Sequence, residues 1–283
     1  MKAVCKFVAV LLCFALLSGC GAAKPATGET NPQEGSSMLS KDKTYSVLFV
    51  GNSYTFYNDM PTVYFENMAK ACGYSVKVTS ITKGAYTLEK FADPSDPYGK
   101  MVDNALSTPG TYDFVILQEQ SMRPALDAVD KFYEGTRKLA EKVRQAGAQP
   151  VLYATWGRQT GNEKLTEYNM TNESMTWKLA AAYAAIGEEL DIPVYHVGLA
   201  FHDVYINSEI DLYSADGSHP SPTGSYLAAM TLFCGIFGVD PVDAPFSGGA
   251  SPEEDTILRA AAKAILQGTP EIPEEYKTVS QAQ

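Results

Sequence analysis

A serine, an aspartate and a histidine lie in segments from which a hydrolytic site could be built. Ser53 follows the apolar residues 47–50 in VLFVGNSYT, while Asp216 and His219 lie three residues apart in SADGSHPSPTGSYLAA. A serine hydroxyl is a weak nucleophile that needs a base within hydrogen-bonding distance, and an acid usually orients that base. We therefore consider Ser53 as a nucleophile, His219 as its base and Asp216 as the orienting acid.

The spacing of Asp216 and His219 favours a contact between carboxylate and imidazole. Gly217 lets the loop fold back, so that the carboxylate can reach Nδ1 and leave Nε2 facing the serine. Ser221 can cap the helix that follows and Pro222 suits its first position, which would fix the loop from one side. The same segment also contains Asp-Gly, Ser-Pro and Thr-Gly, which are ordinary turn signals, and by itself it does not separate the two interpretations.

The other two histidines have surroundings that are less typical of a catalytic base. His196 lies at the end of a predicted strand, and His202 lies in an apolar helical context. Both patterns are more typical of packed or rim histidines. Ser53 could also be only a turn residue. The interpretation of Ser53 as a nucleophile depends on the pair formed by Asp216 and His219.

From Tyr45 onward, apolar runs alternate with amphipathic stretches, a pattern typical of parallel strands connected by helices. The runs are apolar throughout, which indicates a sheet covered on both faces, and we expect one α/β domain. The predicted strands are Ser46–Val50, Ser75–Ile81, Asp113–Leu117, Pro150–Ala154 and Pro193–Val197. The predicted helices are Pro61–Cys72, about Tyr98–Leu106, Ala128–Gln145, Glu173–Leu190, Pro222–Phe237 and a helix that Ser251 can cap.

Polar or glycine-containing loops follow four of the predicted strands: GNSYT, TKGAY, QEQS and TWGRQ. Sites in open parallel sheets lie beyond the carboxyl ends of the strands, so we expect these loops to meet at one rim. Their aromatic and basic side chains suit a polar ring such as a sugar, although packing is the simpler interpretation for Trp156. These side chains are Tyr54, Tyr57, Tyr86, Trp156 and Arg158.

In content and order, these features resemble the SGNH (GDSL-like) hydrolase superfamily over roughly residues 47–237. The resemblance implies that Ser53 is the nucleophile of a triad completed by Asp216 and His219. By position only, Gly84 matches the glycine whose backbone N–H contributes to the oxyanion hole. The implied fold is an α/β three-layer, flavodoxin-like sandwich with a central, mostly parallel five-stranded sheet. The implied chemistry needs no metal or organic cofactor.

The segment QEQS departs from the family's usual third block, Gly-x-Asn-Asp, and is closer to the Gln-Gly-Glu-Ser variant of the sialate O-acetylesterase-like branch. By that analogy, Gln118 supplies an amide donor to the oxyanion. Gln120 is the rival, because its offset from the strand is nearer to that of the usual Asn. If neither amide reaches the site, the oxyanion hole consists of the backbone N–H groups of Ser53 and Gly84.

Asn52 replaces the aspartate that commonly precedes the serine in this family. The change is harmless for the proposed chemistry, and Asn is at home in tight turns, which is the simpler reason for its presence. Asn52, Tyr54 and Trp156 are weak candidates for substrate contacts.

The resemblance implies a serine esterase that acts on a small acyl ester. The aromatic loops, the third block and a predicted surface tether favour an acetyl ester on a carbohydrate as the substrate. Two alternatives stay open. One is a membrane-tethered lipoprotein that binds a solute or carbohydrate without catalysis, and the other is an SGNH-fold acyltransferase or silent scaffold.

The amino terminus has the pattern of a bacterial lipoprotein signal. Two lysines precede the apolar run Phe7–Leu17, and the ending Leu-Ser-Gly-Cys predicts cleavage before Cys20 and lipid attachment to its sulfur. Residues 20–43 are rich in small and polar residues and predict a flexible tether. We expect residues 44–283 to form the hydrolase domain, ending in a helix and tail at about 250–283, on the extracytoplasmic face of a bacterial membrane.

Charge and cysteine content exclude some classes of partner. The chain carries a formal net charge of −11, which makes nucleic acid a poor partner. Cys72 and Cys234 lie in apolar segments, which favours buried thiols over a disulfide. No Cys/His cluster has the spacing of a metal site.

Overall fold

The computed structural model of the chain describes residues 39–126 and 129–277. The predicted signal peptide at residues 1–19, the predicted lipidation residue Cys20 and most of the predicted tether at residues 20–43 lie outside the described residues. Within the described part of the chain, no helix is both long and apolar enough to cross a lipid bilayer.

A sheet of five parallel strands, in the order β2-β1-β3-β4-β5, forms the middle layer. From β1 the chain crosses to one edge of the sheet and then continues on the other side, which confirms the predicted flavodoxin-like arrangement. The carboxyl end of β1 lies between two strands that leave it in opposite directions, where open α/β sheets place their sites. The strands are β1 Thr44–Gly51, β2 Ser75–Thr82, β3 Phe114–Leu117, β4 Gln149–Tyr153 and β5 Val194–Tyr195.

Helices cover both faces of this sheet, and most of the long ones lie where the sequence predicts them. The α-helices are α1 Ser53–Phe56, α2 Asn67–Ala71, α3 Leu88–Ala92, α4 Pro97–Leu106, α5 Val129–Gln145, α6 Glu163–Glu167, α7 Asn172–Leu190, α8 Val197–Asn207, α9 Pro222–Phe237, α10 Pro252–Gln267 and α11 Glu274–Lys277. A π-helical segment, Met60–Glu66, leads into α2, and 3₁₀ turns occur at Tyr57–Asp59, Arg123–Ala125 and Pro241–Asp243.

Alternate side chains of the central strands enter two hydrophobic cores, one on each face. Val47 and Phe49 of β1 belong to the core that α9 and α10 cover. Leu48 and Val50 belong to the opposite core, which α5 and α7 cover. All four side chains are fully buried. Burial on both faces explains why the strand reads as a continuous apolar run.

The main difference from the sequence prediction follows β5. The predicted strand Pro193–Val197 is reduced to Val194–Tyr195, because Val197 already begins α8. The start of α8 lies so close to the end of β4 that a Cβ on Gly198 would lie 2.0 Å from the carbonyl oxygen of Thr155. The sequence indicates a helical context around His202 but gives no bounds for α8, because a helix that is apolar on most sides lacks the amphipathic period.

Candidate active site

The turn between β1 and α1 fixes Ser53 at the carboxyl edge of the sheet. Ser53 is the first residue of α1, and the side-chain oxygen of Asn52 caps the helix by accepting a hydrogen bond from the Tyr54 N–H at 3.2 Å. Gly51 ends the strand and leaves no room for a side chain, since a Cβ there would lie 2.4 Å from Thr55 Oγ1. The half-buried Ser53 is thus held on a tightly packed strand-to-helix turn.

Ser53, His219 and Asp216 form a continuous chain of hydrogen bonds. Ser53 Oγ lies 2.8 Å from His219 Nε2, and His219 Nδ1 lies 2.5 Å from Asp216 Oδ2. The second oxygen of Asp216 accepts hydrogen bonds from the backbone N–H groups of Ser218 and His219, both at 2.9 Å. Burial opposes ionisation of Asp216, but these hydrogen bonds outweigh it and lower the pKa of the carboxyl below its usual value.

The loop that carries Asp216 and His219 is fixed from the side of α9. Ser221 caps α9 by accepting a hydrogen bond from the Gly224 N–H at 3.1 Å, and a proline occupies the first turn, as the sequence predicts. Gly217 adopts a φ of 60°, which allows the tight return between the carboxylate and the imidazole. The loop is closed by a hydrogen bond of 2.8 Å from the Ser214 N–H to the His219 carbonyl.

The loop after β4 holds the same segment from the opposite side. The Gln159 N–H donates to the Gly217 carbonyl at 2.9 Å, and the side-chain amide of Asn162 donates to the Asp216 carbonyl at 2.9 Å. These bonds connect two segments that are far apart in the sequence, so the sequence pattern gives no signal for them. They fix the position of His219 relative to the sheet.

The ring of Tyr57 covers one face of the His219 imidazole. The two rings are stacked, with centroids 4.5 Å apart and an angle of 15° between their planes. Tyr54 contacts the imidazole with an edge, at a centroid distance of 5.8 Å. Stacking of this kind limits rotation of the imidazole and stabilises it when it carries a positive charge. The sequence places Tyr57 among the aromatic side chains of the loops at the rim, but it does not predict that the ring stacks on His219.

Ser53 and His219 open into a cavity of about 580 Å³ at the carboxyl edge of the sheet. Most of the side chains around it are polar, and they come from the loops after β1, β2, β3 and β4 and from the segment before α9. The predicted convergence of these loops is therefore what the structure shows. The lining includes Asn52, Ala85, Gln120, Ser121, Arg158 and Asn162.

Comparison with solved structures places this geometry in a known fold. A protein from Slackia heliotrinireducens assigned to the SGNH hydrolases is 32% identical to this chain and superposes with a TM-score of 0.59, covering 68% of this chain and 98% of its own. The chain belongs to the SGNH hydrolase family. The comparison thus confirms the family that the sequence resembles.

Two further structures share the SGNH hydrolase fold at low sequence identity. A DUF4886 family protein from Bacteroides uniformis is 17% identical, with a TM-score of 0.67 over 82% of this chain and 98% of its own. A mutant of an acetyl-xylooligosaccharide esterase from Geobacillus is 13% identical, with a TM-score of 0.51 over 69% of this chain and 94% of its own. No protein-family model and no curated protein matches the sequence.

Gln118 does not have the position that the sequence predicts for an oxyanion donor of this SGNH hydrolase. Its side chain is fully buried beneath the first turn. Its Oε1 accepts hydrogen bonds from the Asn52 N–H and the Thr55 hydroxyl, both at 2.9 Å, and its Nε2 donates to the carbonyl of Glu119. Gln118 instead holds the turn that carries the nucleophile candidate, because both ends of its amide are engaged.

Gln120, the rival candidate, lines the cavity. Its Oε1 accepts hydrogen bonds from the backbone N–H groups of Met122 and Arg123, both at 2.9 Å. Among the residues that the structure describes, its Nε2 has one long contact, 3.4 Å to Ser121 Oγ. The amide is therefore anchored through its oxygen, and its nitrogen remains able to donate to a ligand.

The structure places Ala85, rather than Gly84, in the lining of the cavity. The turn is closed by a hydrogen bond of 3.1 Å from the Tyr86 N–H to the Lys83 carbonyl, and Ala85 adopts a φ of 56°. A left-handed alanine is uncommon and marks a conformation held by its surroundings. Gly84 itself is exposed and is not among the residues that line the cavity.

Asn52 and Tyr54 are engaged within the protein and do not offer free groups to a substrate. Asn52 Nδ2 donates to the carbonyls of Tyr86 at 3.0 Å and Glu119 at 3.1 Å, which ties three loops together. The hydroxyl of the buried Tyr54 contacts Ser218 Oγ at 2.9 Å. Both residues nevertheless contribute to the cavity lining, so a substrate contact stays a prediction, while the turn role that the sequence suggests for Asn52 is what the structure shows.

Trp156 is also a packing residue rather than a surface for a sugar. Its ring is 1% exposed and lies between Tyr54 at 4.6 Å and Phe201 at 4.3 Å, stacked on both. Its Nε1 donates to the Ser218 carbonyl at 3.1 Å, next to His219. Trp156 thus supports the histidine loop from behind, and the expectation of a substrate contact is corrected in favour of core packing.

Glu119 is a buried carboxyl group that the sequence does not single out. Its oxygens accept hydrogen bonds from the Gln120 N–H at 2.5 Å and the Leu88 N–H at 3.1 Å, which joins the loops after β2 and β3. Burial raises the pKa of Glu119 to about 7, against the opposing effect of these hydrogen bonds. Glu119 thus determines the position of Gln120 while titrating near neutral pH.

The two other histidines lie apart from the cavity lining, as their surroundings in the sequence suggest. His196 is buried, and burial lowers its pKa to about 4. His202 Nδ1 contacts Asn172 Oδ1 at 2.7 Å, and burial lowers its pKa as well. Among residues 39–126 and 129–277, no group of His, Cys, Asp and Glu side chains could hold a metal ion.

Proposed function

We propose that this SGNH hydrolase is a serine esterase that removes a small acyl group, with acetyl as the acyl group and a carbohydrate as the alcohol. Ser53 is the nucleophile, His219 the general base and acid, and Asp216 the residue that orients the imidazole. The observation that carries the proposal is the hydrogen-bonded chain from Ser53 Oγ through His219 to Asp216 at the edge of a polar cavity.

These distances support the first half of the proposed reaction. Ser53 Oγ attacks the ester carbonyl carbon, and His219 Nε2, 2.8 Å away, takes the hydroxyl proton. The imidazolium that results donates a hydrogen bond to Asp216, whose lowered pKa keeps the carboxylate ionised. The proton on Nε2 then passes to the oxygen of the leaving alcohol as the ester C–O bond breaks, which leaves an acyl group on Ser53.

The second half repeats the same proton transfers with water. His219 takes a proton from a water molecule that attacks the acyl carbonyl, and it returns the proton to Ser53 Oγ as the carboxylic acid leaves. The protein ends in its starting state, and each step balances without a metal or a redox partner.

We assign three donors to the oxyanion in both halves of the reaction. The Ser53 N–H is at the amino terminus of α1 and has no hydrogen-bond partner among the described residues. The backbone N–H of Ala85, also unpartnered within that part of the chain, lies in the cavity lining. Gln120 Nε2 is the third donor and replaces Gln118 in this role. Removing one such donor typically costs on the order of 10²–10³ in kcat.

The cavity supports a small acyl group on a sugar. A volume of about 580 Å³ with mainly polar lining suits a monosaccharide ester better than a long alkyl chain. The acetyl-xylooligosaccharide esterase from Geobacillus shares the fold, so the same scaffold is compatible with an acetylated carbohydrate.

Steady-state hydrolysis of p-nitrophenyl acetate by the mature domain tests this proposal. We expect Ser53→Ala and His219→Ala each to lower kcat by on the order of 10⁴-fold or more, because each removes a group required in both halves of the reaction. Ser80→Ala is the matched control, since Ser80 is an exposed serine on β2 outside the cavity. Equal rates for wild type and Ser53→Ala would support a binding protein instead.

Comparison of acyl chains and acceptors tests the finer parts of the proposal. We expect kcat/KM for p-nitrophenyl octanoate to be well below that for the acetate, and acetate release from an acetylated xylo-oligosaccharide to depend on Ser53. If acetyl groups are transferred to an added sugar in preference to water, the protein is an acyltransferase.

We also propose that the chain is exported and held at the membrane through a lipid on Cys20. The pattern of its amino-terminal signal supports this proposal.

A further inference from the structure

Arg158 lies in the lining of the same cavity, on the loop that follows β4. No residue of the described part of the chain forms a hydrogen bond or an ion pair with its guanidinium group, and its buried Nε is without a partner. The two terminal nitrogens are not among the buried atoms that lack partners, so they are accessible from the cavity. A half-buried cation therefore faces the space in front of Ser53 with five unused N–H groups.

The other arginines of the described residues are all engaged within the protein. Arg123, Arg137 and Arg259 form ion pairs with carboxylates at 2.6 to 2.7 Å. Arg144 donates to the carbonyls at the end of α7. The lack of a partner at Arg158 is thus a local property of the cavity and not a general feature of this surface.

The backbone of Arg158 is held rigidly, so the guanidinium group is presented and not left on a loose loop. Asn172, which is 5% exposed, donates from Nδ2 to the Arg158 carbonyl at 2.8 Å. The neighbouring Gly157 N–H donates to Thr176 Oγ1 at 3.1 Å, and a Cβ at Gly157 would lie 2.4 Å from the Asn172 carbonyl oxygen. This packing against α7 fixes the backbone of Arg158, and with it the point from which the side chain starts.

A guanidinium group without an acceptor in a partly desolvated site is unfavourable, and an anionic ligand would complete it. The planar fork of Arg matches a carboxylate, with which it forms two parallel charge-assisted hydrogen bonds. The other cation in the lining, Lys164, already pairs with Glu167 at 2.6 Å. The lining also contains two carboxylates, Asp216, which contacts His219, and the exposed Glu163. The one guanidinium group without a partner therefore fits one carboxylate better than a phosphate dianion.

We infer that Arg158 is a specificity residue for O-acetylated sugars that carry a carboxylate, such as acetylated uronic acids. This inference rests on the proposed function, because it names the alcohol part of the ester that Ser53 would attack. The net charge of −11 opposes an anionic substrate at long range, but at physiological ionic strength such repulsion is screened beyond about 8 Å. The local contact with Arg158 then decides the preference.

A matched pair of substrates tests the inference. The O-acetylated methyl glucuronoside and the O-acetylated methyl glucoside differ only in a carboxylate or hydroxymethyl group on the ring. We expect kcat/KM of the wild type to favour the uronoside by about tenfold or more, the range of a charge-assisted hydrogen bond. Arg158→Gln should bring this ratio close to one, and Arg158→Lys should give an intermediate ratio because Lys keeps the charge without the fork.

Lys100→Gln is the control for loss of one positive charge, because Lys100 is exposed on α4 and outside the cavity. It should leave the substrate ratio at the wild-type value. Circular dichroism and Tm should show that Arg158→Gln is folded. If the wild type hydrolyses both sugars equally well, or if Arg158→Gln keeps the preference, the inference is wrong while the esterase proposal stands.

Binding measurements separate the inference from catalysis. In a Ser53→Ala background, calorimetric titration with the same two sugars needs no turnover. We expect the uronoside to bind about tenfold more tightly than the glucoside, and the double variant with Arg158→Gln to lose that difference. If both sugars bind equally in Ser53→Ala, the inference is overturned. If the wild type hydrolyses no ester but the binding preference depends on Arg158, the esterase proposal fails and the anion site remains.

Discussion

His219 Nε2 lies 2.8 Å from Ser53 Oγ, although the two residues are 166 positions apart in the chain. Ser53 follows the central strand β1, and His219 precedes α9. The fold brings the two residues together because α9 packs on the face of the sheet that carries Val47 and Phe49 of β1. Hydrogen bonds from the loop after β4 then fix the histidine segment from its other side. The contact is thus a product of three separate parts of the chain.

The two glutamines after β3 should respond differently to substitution. Gln120→Ala should lower kcat by on the order of 10²-fold, because Gln120 lines the cavity and its Nε2 is available to the oxyanion. Its loss in free energy of unfolding should be smaller than that of Gln118→Ala, because the two N–H groups that donate to Gln120 are only partly buried. Gln118→Ala should lower the free energy of unfolding by roughly 2–5 kcal/mol, because it leaves the Asn52 N–H and the Thr55 hydroxyl buried without an acceptor.

Urea unfolding and p-nitrophenyl acetate kinetics on both variants check this pair. A Gln120→Ala protein with wild-type kcat would remove Gln120 from the oxyanion hole. A Gln118→Ala protein as stable as the wild type would contradict the assignment of Gln118 to the support of the turn.

Stacking of Tyr57 on His219 should contribute to the rate of the chemical step. The ring lies 4.5 Å from the imidazole and stabilises the positive charge that develops when His219 takes the serine proton. Tyr57→Leu should lower kcat by roughly 3- to 30-fold, since cation–π contacts contribute about 0.5–2 kcal/mol. Tyr57→Phe keeps the ring and should retain most of the activity. Equal losses for both variants would assign the effect to the hydroxyl and not to the stack.

Glu119 should make the stability of the protein fall as the pH rises towards neutrality. Burial raises its pKa from 4.5 to about 7, so the folded state holds a proton that the unfolded state has lost. The stabilising contribution of this proton is complete below the unfolded pKa and is lost as the pH rises through about 7. The total effect is on the order of 3 kcal/mol.

Glu119→Gln provides the comparison for that pH effect. The variant does not titrate, so the difference in the free energy of unfolding between wild type and variant should narrow or reverse between pH 5 and pH 8. Guanidinium unfolding at a series of pH values measures this difference. A difference that stays constant with pH would show that Glu119 is ionised throughout.

Cys20 should decide where the protein is found. In a bacterial host, the full-length wild type should partition to the membrane fraction and incorporate radiolabelled palmitate, because the predicted signal directs lipid to its sulfur. Cys20→Ala should lose the label and move away from the membrane fraction. Cys72→Ala, which changes a half-buried thiol in the domain, serves as the control and should behave as the wild type. Label that persists in Cys20→Ala would exclude this anchor.

The sequence was sufficient for the architecture because local patterns encode it. The central strands β1 and β3 contain continuous apolar runs. Most of the long helices have a cap, a proline or a glycine at an end, as at Ser221 and Gly238 of α9, whereas α8 has no side-chain cap. These signals depend on neighbours in the chain. The same holds for the contact of Asp216 with His219, whose three-residue spacing and intervening glycine produce it directly.

The sequence predicted the order of the strands, helices and loops better than it predicted which loop side chains are buried. Gln118 and Gln120 are both amides just beyond β3, but only the structure shows that the first points under the turn and the second lines the cavity. The same limit applies to Trp156, whose ring could equally well face solvent or the core in a loop TWGRQ. Burial of a single loop side chain depends on contacts such as that with Phe201, which lies 45 residues further along the chain.

The most direct test of the central claim is the reaction of the mature domain with a fluorophosphonate, followed by intact and peptide mass spectrometry. An activated serine is expected to take up one label per chain, on the peptide that contains Ser53, and His219→Ala should slow the labelling strongly. Ser53→Ala should remain unlabelled while Ser80→Ala labels like the wild type. A wild-type protein that takes up no label, or a Ser53→Ala protein that is labelled as fast as the wild type, would contradict the account.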